Sequence, residues 1–237
     1  MNLGILSTET HPLIKYYLSK FLDRKIKNFI LILDKKKTST KDKNIFNHRT
    51  KNYFKNNQNL LKILKKKKIN FYLVNSHNSK SFLKLIRSKN IDILANCGTP
   101  RKIQKKIIDS LKYGVLNVHP GILPKYRGRT CVEWSIFNDD KVGNTLHLMN
   151  SSYDSGPIIK KVSYSFLKTD NYHSIRTKVY VMGVDLMVNY LKKLQNMKIK
   201  KIKLIKQEKF NDNLYDVIDK KKMTQIIKKI KNGEYKY

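Results

Sequence analysis

Three polar residues have the types and spacing for chemistry at a carbonyl group: Asn117, His119 and Asp154. Asn117 and His119 lie two residues apart, so on an extended strand their side chains point to the same side. Donors from both can then converge on one developing oxyanion. A histidine changes its charge near neutral pH, and a carboxylate held nearby, such as that of Asp154, favours the charged ring. Taken alone, an Asn-x-His pair is more often structural and an aspartate in such a turn is more often a turn former, so these residues are candidates whose roles depend on the rest of the segment. The sequence predicts no metal ion and no activated serine or cysteine at this place.

The elements that would hold these residues alternate along the first half of the chain. Short apolar runs, typical of strands buried on both faces, are separated by segments with helical spacing of apolar residues. The predicted strands are Leu3–Leu6, Phe29–Leu33, Phe71–Val74, Ile91–Ala95 and Val115–Val118. The predicted helices are His11–Phe21, Leu60–Leu64, Ser81–Arg87 and Pro100–Leu111, and polar Lys35–Asn47 is predicted to be a mobile loop. This order predicts an α/β fold with a mostly parallel sheet and helices on both faces.

The second half of the chain has a different pattern. The predicted strands Asn144–Met149 and Pro157–Ser165 flank a turn that contains Asp154, and a long amphipathic helix follows over Tyr172–Leu194. The tail is predicted to form a short strand, Ile202–Ile205, and a basic helix, Val217–Ile230. We predict one catalytic domain over residues 1–195 and a basic C-terminal extension over residues 196–237.

Two of the predicted strands end in polar and turn residues. These ends are Asn96-Cys97-Gly98-Thr99-Pro100 and Asn117-Val118-His119-Pro120-Gly121. In an open parallel sheet, ligands bind beyond the carboxyl ends of the strands. Gly98 has no side chain, so it would let backbone amides approach a ligand closely. The two strand ends are therefore the predicted edge of a binding site.

Composition gives weaker information about function. The formal charge is +34, but the lysines are spread along the chain, which favours compositional bias over selected binding of a polyanion. Cys97 and Cys131 have no metal-ligand spacing and are predicted to be small buried or loop residues. No apolar run is long enough for a membrane span or a secretory signal, so a cytoplasmic location without membrane contact is predicted.

The segment around His119 resembles the signature of a known family. Asn117-Val118-His119-Pro120-Gly121-Ile122-Leu123-Pro124-Lys125-Tyr126-Arg127-Gly128 is similar to the Asn-x-His and Leu-Pro-x-x-Arg-Gly pattern of folate-dependent formyltransferases. Gly143-Asn144-Thr145-Leu146-His147 and Asp154-Ser155-Gly156-Pro157-Ile158-Ile159 resemble that family's downstream block, in the same order. The resemblance is clearest from Ile91 to Ile159.

The resemblance implies a Rossmann-like fold and 10-formyltetrahydrofolate as the formyl donor. It places Asn117, His119 and Asp154 on the catalytic trio, and His147 on a position with a less direct role. The residues expected to bind the folate are Asn96, Cys97, Gly98, Thr99, Ile103, Asn150 and Tyr153. The residues expected near the acceptor are Ser7, Thr8, Tyr126 and Arg127, with Arg127 equally suited to tying its loop to backbone carbonyls.

The acceptor amine stays open among several members of the family. Glu9, in the loop after the first strand, is a poor neighbour for the phosphate of glycinamide ribonucleotide. The stretch after Leu194 is short for the tRNA-binding domain of methionyl-tRNA formyltransferases, and formyltetrahydrofolate hydrolases carry an additional N-terminal domain. Residues Cys131–Asn138, with Trp134 predicted in a helix core, resemble a stretch of the amino-sugar N-formyltransferases. A small amine, such as a nucleotide-linked amino sugar, is therefore favoured.

A rival hypothesis is a basic RNA-binding relative that keeps the fold without the chemistry. It requires the positive charge to gather on one face of the protein. Nucleic acid is therefore not the favoured partner, and the predicted partner is a small-molecule amine. The tail also offers a surface for a homodimer.

Overall fold

The computed structural model describes residues 1–196, 202–208 and 214–237. These residues form two compact units. The first contains residues 1–48, 52–117 and the described residues from 187 to 196, and the second contains 49–51, 118–186 and the described residues after 201. None of the described helices is long and apolar enough to cross a membrane.

The first unit contains a parallel sheet, as the apolar runs predict. Its strands are β1 (Leu3–Thr8), β2 (Phe29–Asp34), β3 (Phe71–Val74), β4 (Ile93–Asn96) and the beginning of β5 (Val115–His119). Their order is β3-β2-β1-β4-β5, and every described pair among them is parallel. All six residues of β1 are buried, which is why this strand is a nearly continuous apolar run.

Five helices connect these strands. They are α1 (Ile14–Asp23), α2 (Thr40–Arg49), α3 (Leu60–Lys66), α4 (Lys80–Ser88) and α5 (Lys105–Ile108). The prediction of a loop over Lys35–Asn47 is wrong, because most of this segment belongs to α2. The Ser39 hydroxyl accepts from the Asp42 amide at 3.0 Å and donates to its carboxylate at 2.6 Å. This serine with an acidic residue three positions later is a helix-start signal that the polar composition hid.

The helix predicted over Pro100–Leu111 is much shorter, since α5 contains four residues. Asn78 holds the preceding segment in a loop: its amide nitrogen donates to the Lys102 carbonyl, and its oxygen accepts from the Gln104 amide, both at 2.9 Å. Arg101 also leaves the helix pattern to bind the Asp34 carboxylate at 2.9 Å. These contacts with distant residues override the helical spacing.

The second unit contains the end of β5 and an antiparallel pair of strands. Because the strand pairs of the first unit are parallel, the strands are mostly parallel, as predicted. Its elements are α6 (Cys131–Phe137), β6 (Gly143–Leu148), β7 (Ile158–Ser163), most of α7 (Tyr172–Asn196) and α8 (Lys220–Lys231). The β6–β7 register shifts at Leu146/His147, where an irregularity interrupts the pairing.

The tail belongs to the core of the second unit. Ile226 and Ile230 of α8 are buried with Val132 and Ile136 of α6. The helix begins at Lys220, not at Val217, because the Asp219 side chain caps it by accepting from the Lys222 amide. The strand predicted over Ile202–Ile205 is wrong, since the structure has a single bridge there, between Ile205 and Ile158. The division into 1–195 and 196–237 stays a prediction.

A buried ion pair joins α6 to α7. Glu133 and Arg176 are 0% and 3% exposed, and their charged atoms lie 3.5 Å apart. The Tyr172 hydroxyl donates to the Glu133 carboxylate at 2.7 Å, and Arg49 lies 3.8 Å from it. Burial by itself would raise the pKa of Glu133, but the charges of Arg176 and Arg49 outweigh that effect and lower it. The carboxylate is therefore charged inside the unit.

We expect Glu133→Leu to lower the free energy of unfolding by about 3–5 kcal/mol, because it leaves the Arg176 guanidinium buried without its partner. The double variant Glu133→Leu/Arg176→Met removes both charges and should recover most of this loss. Urea denaturation at pH 7 measures both. A double variant that is no more stable than Glu133→Leu would contradict the role given to the pair.

Candidate active site

His119 is the last residue of β5, and its ring is held from one side. The side chain is 4% exposed, and Nε2 lies 2.7 Å from the backbone oxygen of Tyr126. A carbonyl oxygen can only accept, so Nε2 must carry a proton and donate. The orientation of the ring is therefore fixed, and Nδ1 is the nitrogen left for chemistry.

Asp154 lies beside that second nitrogen. Its Oδ2 is 3.4 Å from His119 Nδ1 and accepts from the Gly128 amide at 3.1 Å. The distance to Nδ1 is longer than a good hydrogen bond, so the two groups form an open ion pair. Asp154 has a φ of 50°, a left-handed backbone that aspartate tolerates better than most residues. The structure therefore brings His119 and Asp154 together, as the sequence predicts.

His147 is a second histidine near the same carboxylate. Its Nε2 lies 3.9 Å from Asp154 Oδ1, and its Nδ1 lies 2.9 Å from the Leu148 carbonyl oxygen, to which it must donate. Burial, together with the charge of His119, lowers the pKa of His147 to about 4. His147 is therefore neutral at pH 7.

The loop after β5 passes very close to the His119 ring. A Cβ placed on Gly121 would lie 2.7 Å from both His119 Nε2 and the Tyr126 carbonyl oxygen, so only glycine fits. The Thr145 hydroxyl on β6 donates to the Gly121 carbonyl at 2.7 Å and accepts from the Leu123 amide at 3.1 Å. One hydroxyl thus fixes the start of this loop.

The other predicted residues of the second unit serve mainly to hold loops. The Tyr126 side chain is buried, and its hydroxyl donates to Asp140. Arg127 donates to the Tyr153 carbonyl at 2.9 Å, which is the loop-tying role that its sequence position allowed. The Asn150 side chain accepts from Ser152 and Ser155 within its own turn. The Tyr153 ring is 56% exposed.

In the first unit, the structure joins the ends of β4 and β5 through two amide side chains. Asn96 Nδ2 donates to Asn117 Oδ1 at 2.9 Å, and Asn96 Oδ1 lies 3.2 Å from the Gly98 amide. This contact fixes which end of the Asn117 amide accepts, so its nitrogen is the donor end. Gly98 has a φ of +107°, and a side chain there would clash with the His11 ring.

Ser7 and Thr8, predicted to bind substrate, are buried at the end of β1. The Ser7 hydroxyl lies 3.0 Å from the Cys97 carbonyl oxygen, and the Thr8 hydroxyl donates to the Lys36 carbonyl at 2.7 Å. These hydroxyls therefore hold neighbouring loops, which is a structural role that the sequence prediction did not include.

Among the predicted folate residues, Cys97 and Ile103 have buried side chains, whereas Thr99 is half-buried. Burial raises the pKa of the Cys97 thiol, and it raises that of Cys131, with a contribution from Asp154, to about 12. Both cysteines are buried free thiols, as predicted, and neither is a thiolate nucleophile at neutral pH.

Two features of the first unit were missed in the sequence. Buried Asp34, at the end of β2, receives hydrogen bonds from the His77 amide and from Arg101. A cavity of about 290 Å³ lies beside the loop after β1 and is lined by Glu9, His11, Lys15, Lys43, Asn47, Phe54 and Lys55, among others. Both depend on residues far apart in the chain, so no local spacing could have revealed them. Within the described residues, no group of side chains could hold a metal ion.

Comparisons with known proteins identify the family of this chain. A family model described as formyl transferase matches residues 1–191. The methionyl-tRNA formyltransferase of Caldanaerobacter subterraneus is 28% identical over 150 residues, which cover 63% of this chain and 47% of that protein. This chain spans less than half the length of that relative and of a second one, from Thermodesulfovibrio yellowstonii.

Solved structures share the fold. A phosphoribosylglycinamide formyltransferase from Bacillus halodurans has a TM-score of 0.62 and 17% identity, covering 85% of this chain and 99% of that one. An N-formyltransferase from Helicobacter canadensis, solved with folinic acid and dTDP-3-aminofucose, has a TM-score of 0.60 and 18% identity, covering 91% and 70%. The Rossmann-like α/β fold is thus confirmed, and, since the family model matches most of its length, the chain belongs to the formyl transferase family.

Proposed function

We propose that this protein transfers a formyl group from 10-formyltetrahydrofolate to the primary amine of a small acceptor. The observation that carries the proposal is the pair of His119 and Asp154, with Nδ1 and Oδ2 3.4 Å apart. Membership of the formyl transferase family supports the reaction class. The folate donor is supported by the Helicobacter canadensis N-formyltransferase, which was solved in complex with folinic acid.

The proposed reaction forms a bond between the acceptor nitrogen and the formyl carbon and breaks the bond from that carbon to folate N10. The formyl oxygen becomes an oxyanion in the tetrahedral intermediate, the amine loses one proton, and N10 gains one. The protein must therefore stabilise the oxyanion and move one proton. A single pair of groups that shares a proton can do both.

His119 is suited to this task through Nδ1. Its Nε2 is committed to the Tyr126 carbonyl, so the ring donates to an oxyanion from Nδ1. Because Nδ1 and the Asp154 carboxylate are 3.4 Å apart, neither fully satisfies the other, and a reacting group can bond to both. Asp154 balances the charge of the imidazolium and accepts the proton that leaves the amine.

Asn117 is the proposed second donor to the oxyanion. It precedes His119 by two residues on β5. The contact from Asn96 to Asn117 Oδ1 leaves Nδ2 as the donor end of the amide. An amide has no charge to lose, so its contribution does not change with pH.

We propose that His147 lies beside the Asp154 carboxylate without competing with His119 for it. With its pKa lowered to about 4 by burial, His147 carries no charge at pH 7 and does not compete as a cation for the carboxylate. A second imidazolium at 3.9 Å from Oδ1 would draw the carboxylate away from the reacting proton.

The folate is proposed to contact the segment Asn96–Ile103 of the first unit. The positive φ of Gly98 suits a loop whose backbone groups meet the fixed donor and acceptor edge of a pterin. Because the side chains of Cys97 and Ile103 are buried, these two residues would contribute backbone groups.

The acceptor we propose first is a nucleotide-linked amino sugar. The cavity in the first unit supports an anionic acceptor, because three lysines and one glutamate line it. Phe54 in its wall offers an apolar surface, and Asn47 offers an amide. Cation and aromatic groups together suit a phosphorylated ligand with a ring.

Methionyl-tRNA is a second candidate acceptor, and one observation favours it. Residues 35–68 contain thirteen of the 51 lysines and arginines but one of the 17 acidic residues. The charge is therefore denser here than elsewhere, contrary to the even spread that compositional bias predicts. Such density suits a phosphate backbone.

We expect His119→Ala and Asp154→Asn each to lower kcat by on the order of 10²–10³, with KM for the folate changed little, because each loses stabilisation specific to the transition state. Stopped assays of formyl release measure this. Asp109→Asn, an exposed aspartate on the first unit, is the matched control and should keep full turnover. Near-full turnover in Asp154→Asn would disprove the assignment.

An amine panel assayed by loss of formyl from 10-formyltetrahydrofolate tests the acceptor. We expect turnover that depends on a nucleotide-linked amino sugar. Turnover with methionyl-tRNA alone, with a KM that rises steeply with salt, would replace that acceptor by the second candidate. Formyl release without any amine would instead indicate a hydrolase.

His147 predicts a pH dependence of stability. Its folded pKa, about 4, lies below the 6.5 of an exposed histidine, so between these values the unfolded chain binds a proton that the folded chain does not. Stability is therefore lost as pH falls from about 6.5 to about 4. Between pH 7 and pH 5, we expect the free energy of unfolding of His147→Gln to fall by about 2 kcal/mol less than that of the parent protein.

Urea denaturation at the two pH values measures this difference. His48→Gln, at an exposed histidine, is the control and should leave the pH dependence unchanged. Equal pH dependence in His147→Gln and the parent protein would show that His147 is not held neutral by burial.

A further inference from the structure

The tail segment 202–208 contacts the turn that carries Asp154. Gln207 Nε2 donates to the carbonyl oxygens of Asp154 and Gly156, at 3.0 Å and 2.6 Å. Two residues earlier, Ile205 pairs with Ile158 through two backbone hydrogen bonds of 2.8 Å and 2.7 Å. All of these residues belong to the second unit. The tail therefore binds both the turn and the strand that follows it.

The turn needs such support because its backbone is unusual. Asp154 has a φ of 50°, a conformation that side-chain-bearing residues rarely adopt and that persists when the surroundings fix it. Gly156 follows, and a side chain there would clash with the Leu148 carbonyl. A primary amide carries two N–H groups, so one Gln207 side chain satisfies the carbonyls on both sides of Ser155.

A second part of the tail, at Tyr215, holds the segment whose Gly128 amide donates to the Asp154 carboxylate. The Tyr215 amide donates to the Arg127 carbonyl at 2.9 Å, and the Tyr215 carbonyl accepts from the Arg129 amide at 2.8 Å. Between these two residues, Gly128 donates its N–H to Asp154 Oδ2. The Tyr215 ring also stacks on Tyr126, with centroids 5.3 Å apart. The Tyr126 backbone oxygen is the acceptor for His119.

We propose that Gln207 is a positioning residue for formyl transfer, which sets the Asp154 carboxylate against His119 Nδ1 by holding the Asp154 and Gly156 carbonyls. This inference rests on the proposed function. Gln207 Oε1 is buried and has no hydrogen-bond partner among the described residues. A buried acceptor without a partner is unfavourable, so the two hydrogen bonds from Nε2 to the turn must offset its cost.

The loss variant is Gln207→Met, which keeps the length of the side chain and removes both donors. We expect kcat to fall by about 10-fold, with KM for the folate nearly unchanged. A displaced carboxylate stabilises the transition state less well but does not change the binding of the substrate. Lys206→Met is the matched control: it makes the same replacement one residue earlier, at an exposed side chain. It should leave kcat unchanged.

A double-mutant cycle with Asp154→Asn separates positioning from general destabilisation. If Gln207 acts through the carboxylate, Gln207→Met should cause little further loss of kcat once that carboxylate is absent. An equal loss of about 10-fold in the Asp154→Asn background would overturn the proposal, because the effect would then not pass through Asp154.

A spectroscopic readout does not depend on turnover. In ¹⁵N-labelled protein, the Nδ1 signal of His119 reports its contact with Asp154. We expect Gln207→Met to move this signal towards its position in Asp154→Asn, while Lys206→Met leaves it in place. An unmoved signal would overturn the proposal even if the protein transfers formyl groups. A moved signal in a protein without formyl transfer would uphold the positioning and reject the proposed function.

Discussion

The hydrogen bond between the His119 ring and the Tyr126 carbonyl, 2.7 Å long, is the interaction on which the candidate site depends. It removes one nitrogen from chemistry, decides where the proton on that nitrogen lies, and turns Nδ1 towards Asp154. Residue 121 must be glycine, because any Cβ there would clash with both groups of that hydrogen bond. Thr145 then fixes the loop that supplies the carbonyl. The orientation of the His119 ring in the candidate site is thus set by a backbone carbonyl.

The second unit accommodates several polar groups that burial disfavours, and most of them have a polar partner nearby. The Glu133 carboxylate has Arg176 and the Tyr172 hydroxyl, and Asn144 donates to the Tyr164 hydroxyl and to the Val179 carbonyl, both at 2.8 Å. His147 differs from these groups, because it avoids the cost of burying a charge by being neutral. A neutral histidine beside a carboxylate preserves one ion pair where two would compete.

The sequence alone predicted much of the fold and the central pair of the site. The buried strands β1 and β4 begin with apolar runs, Leu3–Leu6 and Ile93–Ala95, so they could be recognised without knowledge of their tertiary contacts. His119 and Asp154 were recognisable because their neighbours form a specific motif.

Two of the misses have a common physical cause. The α5 region and Gln207 are determined by partners far along the chain: Asn78 binds the loop before α5, and Gln207 binds carbonyls 51 and 53 residues away. Backbone carbonyls exist at every position, so a glutamine that binds two of them leaves no signature in its own neighbourhood. The start of α2 differs, because the pair of Ser39 and Asp42 was present in the sequence.

The helix α2 bears on whether the positive charge is functional. None of its residues, all of which the structure describes, is fully buried, and the Phe46 ring contacts the buried Phe54 ring with centroids 5.6 Å apart. Packing therefore places little demand on the other residue types of this helix. A uniform coding bias would fill such positions with lysine to the same extent as other exposed positions, yet residues 35–68 are nearly free of acidic side chains. The number of lysines and the scarcity of acids both depart from an even spread along the chain. The anionic acceptor proposed above would account for both, since a carboxylate near a phosphate weakens binding and a lysine strengthens it.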